Sequence, residues 1–250
     1  NVRNTLSAPA TSALIAFDFA AFGLDARFFH AHSFLWWVLL VAAASWLLVS
    51  VLPRPFAALA LVFYVCEEGH SLPLGWLANR SPLVATTFAF FALGAHVRAR
   101  SQGSSRLRLL SWFAMLLALA AGEYAFSVLA YFVAWEACEG NGESLRKRLV
   151  ALAPFAGLAA VYLIVRQALG IGIDHSGFYL SPTSAPSTFV LALAWRLPVL
   201  LADLILGISA DWYLQGSPWR DVLLRTEWFS RAEWQSLPSW QAVHVGLGVL

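Results

Sequence analysis

Charge is what this sequence has least of. Asp, Glu, Lys and Arg make up 12% of its 250 residues, about half the roughly 25% of a soluble domain. Lysine is nearly absent: Lys147 stands against fifteen arginines, a bias that reads as genome composition rather than mechanism. Two cysteines, Cys66 and Cys138, exclude a disulfide framework. They fall near opposite faces of the topology derived below, so no bridge is expected and both read as small buried hydrophobes. A glycine-rich phosphate loop, an HExxH helix and a CxxC pair are all missing, so nothing supports P-loop, zinc-protease or dithiol chemistry. A net charge of +2 is too small to argue for a nucleic-acid partner.

What is present in quantity is apolar. Hydrophobic residues reach 60%, with twelve Trp and a mean hydropathy of +0.68, the composition of an integral membrane protein. A spanning helix needs about 20 mostly apolar residues. Residues 33–52 and 149–169 meet this plainly, and 82–97 marginally. Residues 56–66 are shorter but extend toward Pro73. Residues 190–207 have the length but contain Arg196, Pro198 and Asp203. Residues 12–23 are apolar, short and amphipathic around Asp18. The stretch 109–138 is interrupted at Gly122-Glu123. From 209 to 238, charged residues alternate with Trp, which suits an interfacial segment. The chain starts with Asn1, and its last ten residues are an apolar run. The expectation is one transmembrane domain over 1–250, a fragment whose preceding and following spans lie outside it.

The few charges orient these spans. Arg98, Arg100, Arg106 and Arg108 crowd one short loop, and Arg146, Lys147 and Arg148 another. Basic short loops mark the cytoplasmic side, and Arg54 fits the same side. Residues 25–32, 67–80 and 170–188 then face outward. Both flanks of 109–138 carry the basic signal, so this stretch is expected to go out and come back, with Glu123 at the hairpin tip.

The segment from Glu67 to Arg80 concentrates polar chemistry between apolar spans, where a charge costs roughly 2.5–3.5 kcal/mol at a helix centre. Arg80 offers a bidentate fork for a phosphate, against the plainer reading of an interfacial arginine snorkelling to water. His70 can orient a ligand or take a proton, or it is a loop histidine. Glu67 and Glu68 are adjacent, so at most one points into a site. Asn79 precedes Arg80, and Asn79-Arg80-Ser81 matches the glycosylation acceptor pattern, followed by Pro82. Glu123 is a carboxylate in an apolar stretch, or simply a hairpin tip among headgroups. His30 and His32 lack the i, i+4 spacing of metal ligands on a helix, and Asp174, His175 and Ser176 are too close in sequence for a triad. No metal is indicated.

The pattern Phe17-Asp18-Phe-x-x-Phe-Gly23-Leu-Asp-x-x-Phe-Phe-His30, then a hydrophobic span, resembles the opening of O-mannosyltransferase-like membrane proteins of the GT-C glycosyltransferase superfamily. His70-Ser-Leu-Pro-Leu-Gly-Trp76-Leu-Ala-Asn-Arg80 resembles their His-Val-Glu-Ala-Val-Ala-Trp-Ile-x-x-Arg segment, and Gly122-Glu123 their Ser-Lys-Glu. Later, Gly177-Phe-Tyr179-x-x-Pro182 and Arg196-Leu-Pro198 look similar to bacterial members. The resemblance covers about residues 10–170. It implies an all-α polytopic bundle with short or interfacial helices on the outer side, in a bacterial inner membrane. It implies transfer of a sugar from a polyprenyl phosphate on the outer face, with membrane lipid and that donor as partners. Arg80, His70, Glu123, Asn79 and Glu68 are then the substrate-binding candidates. The sequence departs from the pattern where the family's second Glu is Leu72 and its Lys is Gly122. The family's acidic catalytic motif would precede residue 1. Two other readings remain open: a transporter of lipid-linked sugars, which would show related halves that are not found, and a non-catalytic scaffold, which Leu72 and Gly122 favour.

Overall fold

The computed structural model describes residues 8–138, 143–169 and 185–206. All regular structure among them is helical: α1 (Pro9–Phe22), α2 (Ala26–Val51), α3 (Arg54–Cys66), α4 (Ser71–Gly75), α5 (Ser81–Gln102), α6 (Ser105–Ala121), α7 (Ala125–Cys138), α8 (Leu145–Ala168) and α9 (Pro186–Leu206). Short 3-10 turns cover Glu68–His70 and Leu77–Asn79. Three of the helices, α2, α5 and α8, are long and apolar enough to cross a membrane; α1, α3 and α7 are apolar but shorter. The chain groups into two units, Asn1–Ile171 and Gly172–Leu250. In the second, α9 is the element described, and it contains Pro198. The interfacial segment 209–238 and most of the outer loop 170–188 lie outside the described residues.

The first unit is organised around α5. Two thirds of its apolar window, 67%, is buried, against 6% for α8. The sequence explains the difference. Ala85, Ala89, Ala92 and Ala95 give α5 small buried positions where neighbouring backbones approach closely. Gly94 carries this furthest: a Cβ there would sit 3.0 Å from the Trp46 ring. By contrast, α8 presents Val161, Ile164 and Val165 outward, as a helix does whose neighbour is hydrocarbon. Start and stop signals are conventional. Asp25 caps α2 by accepting from the Arg27 amide at 3.1 Å, and Ser104 caps α6. Pro82 sits in the first turn of α5, which stops at Gly103 with φ +65°, a backbone that glycine adopts without a Cβ clash.

Contacts fix the direction of each helix. Ser33 meets Arg80 and Ser50 meets Arg98, so α2 and α5 run parallel. Ser111 donates to the Ala92 carbonyl at 2.6 Å, and Gly122 abuts Ser81, so α6 runs back. Glu136 reaches His96 and Arg100, so α7 returns alongside α5. Arg148 donates to Ala137 O at 3.2 Å and Arg166 pairs with Glu123, so α8 runs back again.

The break at Gly122–Tyr124 is therefore a hairpin, as both basic flanks require. Its arms have 17 and 14 residues, the first longer than the sequence suggested because it begins at Ser105. Arg54, the arginines around Gly103 and the cluster 146–148 all lie at the C-terminal end of α5. Residues 67–80 and Glu123 lie at its N-terminal end.

Three expectations change. α3 stops at Cys66 rather than running toward Pro73, since Glu67 is extended with ψ +126°. α5 runs five residues beyond Val97, carried by its contacts with α2 and α6. Both cysteines are free and exposed rather than buried, because each is the last residue of a helix.

Candidate functional site

Two clusters of ionisable groups mark the two ends of α5. At its N-terminal end, Arg80 and Asp18 are both fully buried. Asp18 reaches this position because α1 folds over the end of the bundle, tied by Thr11 donating to the Ala121 carbonyl at 2.8 Å. Arg80 Nη1 donates to Asp18 Oδ2 at 2.5 Å, Nε to Ser33 Oγ at 2.9 Å and Nη2 to the Phe29 carbonyl at 2.8 Å. The other carboxylate oxygen of Asp18 lies 2.5 Å from His32 Nδ1, and His32 Nε2 lies 3.0 Å from Trp36 Nε1. An indole nitrogen only donates, so Nε2 accepts and the imidazole is the neutral Nδ1–H tautomer, donating to Asp18. Arg80 Nη1 is also 3.3 Å from that Nδ1, but two donors cannot bond each other. The His32 side chain, 15% exposed, is the cluster's link to the surface.

At the C-terminal end, Glu136 is buried and accepts from His96 Nε2 at 2.8 Å and from Arg100 Nε and Nη2 at 2.8 and 3.1 Å. Arg100 also grips Glu143, just before α8. That hydrogen bond lowers the half-buried Glu143 carboxyl from its ordinary value. His96 is enclosed by the rings of Phe132 and Phe155, 5.2 and 5.3 Å away. Arg98 lies over the Trp46 ring, 4.7 Å from its centroid.

The candidates named from sequence share one end of the bundle but not one set of partners. Arg80 is in the core rather than at an open site; a guanidinium surrounded by apolar helices takes the carboxylate within reach. His70 bonds the Tyr64 carbonyl through Nε2 at 2.8 Å, a second partner for an oxygen that also accepts from the Glu67 amide at the end of α3. Glu123 is 58% exposed and paired with Arg166 of α8. Asn79 is half-buried and ends a 3-10 turn, its amide donating to Trp76 O at 2.8 Å. Glu68 begins the preceding turn, and its side chain lies outside the described residues. Among the described residues, no hydrogen bond joins Arg80, His70 and Glu123 to one another.

Sequence reasoning missed Asp18, His32, His96 and Glu136 as partners. Asp18 and Glu136 carry a legible signal, a carboxylate inside an apolar run, but nothing local names the cation that answers it. Among the described residues, no group of three His, Cys, Asp or Glu side chains is placed to hold a metal ion. No protein-family model, curated protein or solved structure matches this chain.

Proposed function

We propose that this chain forms part of a polytopic GT-C-type bundle, a glycosyltransferase-like protein that handles a polyprenyl-phosphate-linked sugar at the outer membrane face. The observation that carries the reading is the polar grouping at the N-terminal end of α5, opposite the basic loops. Asp18, His32, Glu123, Arg166 and His70 gather at an end whose flanking helices are apolar. That is where a phosphate at the headgroup level would meet polar side chains, with its hydrocarbon tail beside lipid-facing helices. Arg80 acts in this reading as a positioning residue: it fixes Asp18, which fixes the His32 tautomer. Glu123 is the exposed member, paired with the half-buried Arg166, and that pair is the polar group a sugar hydroxyl would meet.

The test uses the full-length protein in nanodiscs with a radiolabelled polyprenyl-phosphate sugar. Glu123→Gln removes one charge-assisted acceptor, so donor binding should weaken by about tenfold while insertion is unchanged. An unaltered affinity in that variant would remove Glu123 from the site.

One observation favours a second reading, a scaffold with the same fold and no chemistry. Every nitrogen of the Arg80 guanidinium already donates to a protein acceptor. Wild-type protein that binds no donor at all would select the scaffold.

A further inference from the structure

A cavity of about 240 Å³ lies in the waist of the bundle between α2, α3, α5 and α7. Its walls include Ala44 and Leu47 of α2, Ala60 and Tyr64 of α3, Phe90 of α5 and Tyr131 of α7. All the lining side chains are apolar or tyrosine. Along α5, Phe90 stands about 15 Å beyond Arg80 and about 9 Å before His96, at 1.5 Å per residue. The cavity thus lies between the two ionic clusters, at hydrocarbon depth if α5 spans. Tyr131 lines it and is 61% exposed, with Leu59 and Phe63 exposed on the neighbouring helix, so it opens sideways.

This chemistry selects the occupant. Water needs two to four polar partners, and the walls do not offer them. A polar solute would find no charge to orient it. A partner helix, about 10 Å across, is too wide. A hydrocarbon chain fits, and the volume lies just below the roughly 300 Å³ floor of ordinary ligand pockets, room for one chain end rather than a long isoprenoid.

The headgroup position follows from α3. Its first residue, Arg54, is exposed and about 9 Å along the helix axis from Ala60, at the end of the bundle where the basic loops gather. We infer that the cavity holds one acyl chain of an anionic phospholipid from the leaflet at that end, with its phosphate beside Arg54. The inference rests on the membrane-spanning reading alone and is independent of any transferase activity. It places this lipid at the end of the bundle opposite the proposed sugar site.

Native mass spectrometry of the full-length protein, delipidated and then titrated with phosphatidylglycerol or phosphatidylcholine, tests it. Wild type should retain one phosphatidylglycerol about fivefold better than phosphatidylcholine, one arginine's worth of surface attraction. Arg54→Gln should lose that preference and keep chain binding. Ala44→Leu and Ala60→Leu, each filling the cavity from a different helix, should lose retention of both lipids. A phosphatidylglycerol carrying a mid-chain diazirine should label peptides containing Tyr64 and Tyr131 in wild type, and unlabelled lipid should compete. Retention by the filled variants equal to that of wild type, or labelling spread evenly over the exposed face of α8, would overturn the assignment. So would retention of added polyprenyl phosphate in place of phosphatidylglycerol.

Discussion

Asp18 and Arg80 show how strongly single residues can matter in a chain with so little charge. Each is fully buried, so removing one leaves the other ionised in an apolar surrounding. Asp18→Asn should therefore cost about 3–5 kcal/mol, whereas replacing both groups with apolar residues of similar volume should cost far less. Equilibrium unfolding in mixed micelles of Asp18→Asn and of the Asp18→Leu/Arg80→Met double variant checks this. A double variant no better than the single would mean that the pair has a purpose other than mutual neutralisation. Gly94 is the steric counterpart. A methyl group there meets the Trp46 ring at 3.0 Å, and that ring is held between Phe91, 4.7 Å away, and Arg98. Gly94→Ala should cost about 1–3 kcal/mol through overpacking. Its stability in the same assay should recover when Trp46 is replaced by a smaller residue.

Among the elements, the joint between α7 and α8 is held by charge on both sides of one arginine. Arg100 bridges Glu136 on α7 and Glu143 just before α8. Because Arg100 lowers the Glu143 carboxyl in the folded state, the pairing contributes fully above the ordinary carboxylate value of about 4.3. It is lost as pH falls through the lowered folded-state value. A spin-label distance between the end of α7 and the start of α8 should hold steady from neutral pH to about pH 5 and loosen only at more acid pH. Glu143→Gln should remove that acid-dependent part of the loosening. An identical profile in the variant would assign the whole change to other groups.

The arrangement of the whole bundle carries the topology. If α2, α5 and α8 span, Cys66 and Cys138 report opposite sides, since they end α3 and α7 at opposite ends of α5. An impermeant maleimide applied to intact cells should label a single cysteine at Gly69, with Cys66 and Cys138 replaced by serine. It should leave one at Gln102 untouched until the membrane is opened. Labelling at Gln102 from outside would invert the orientation that the basic loops predict.

Much of the fold was legible in the chain because it is written in local composition. Apolar length marks α2 and α8 plainly and α5 marginally, but the stop of α5 at Gly103 and the start of α6 after Ser104 fall outside the 82–97 and 109–138 bounds that apolar length gives. The basic residues on both flanks of 109–138 required the turn at Gly122. These signals act within one helix or one loop, so they need no knowledge of neighbours. The pairings did not have that property. Asp18 finds Arg80 across 62 residues and Glu136 finds His96 across 40, separations at which no sequence period relates two side chains. Composition established that buried charge would need partners, because an unpaired charge in hydrocarbon is costly. Which carboxylate answers which cation depends on the crossing of α1 over the bundle end and on the register of α7 against α5. The crossing of α1 put Arg80 in the core beside Asp18, the register of α7 put Glu136 beside His96, and the return of α8 brought Arg166 to Glu123.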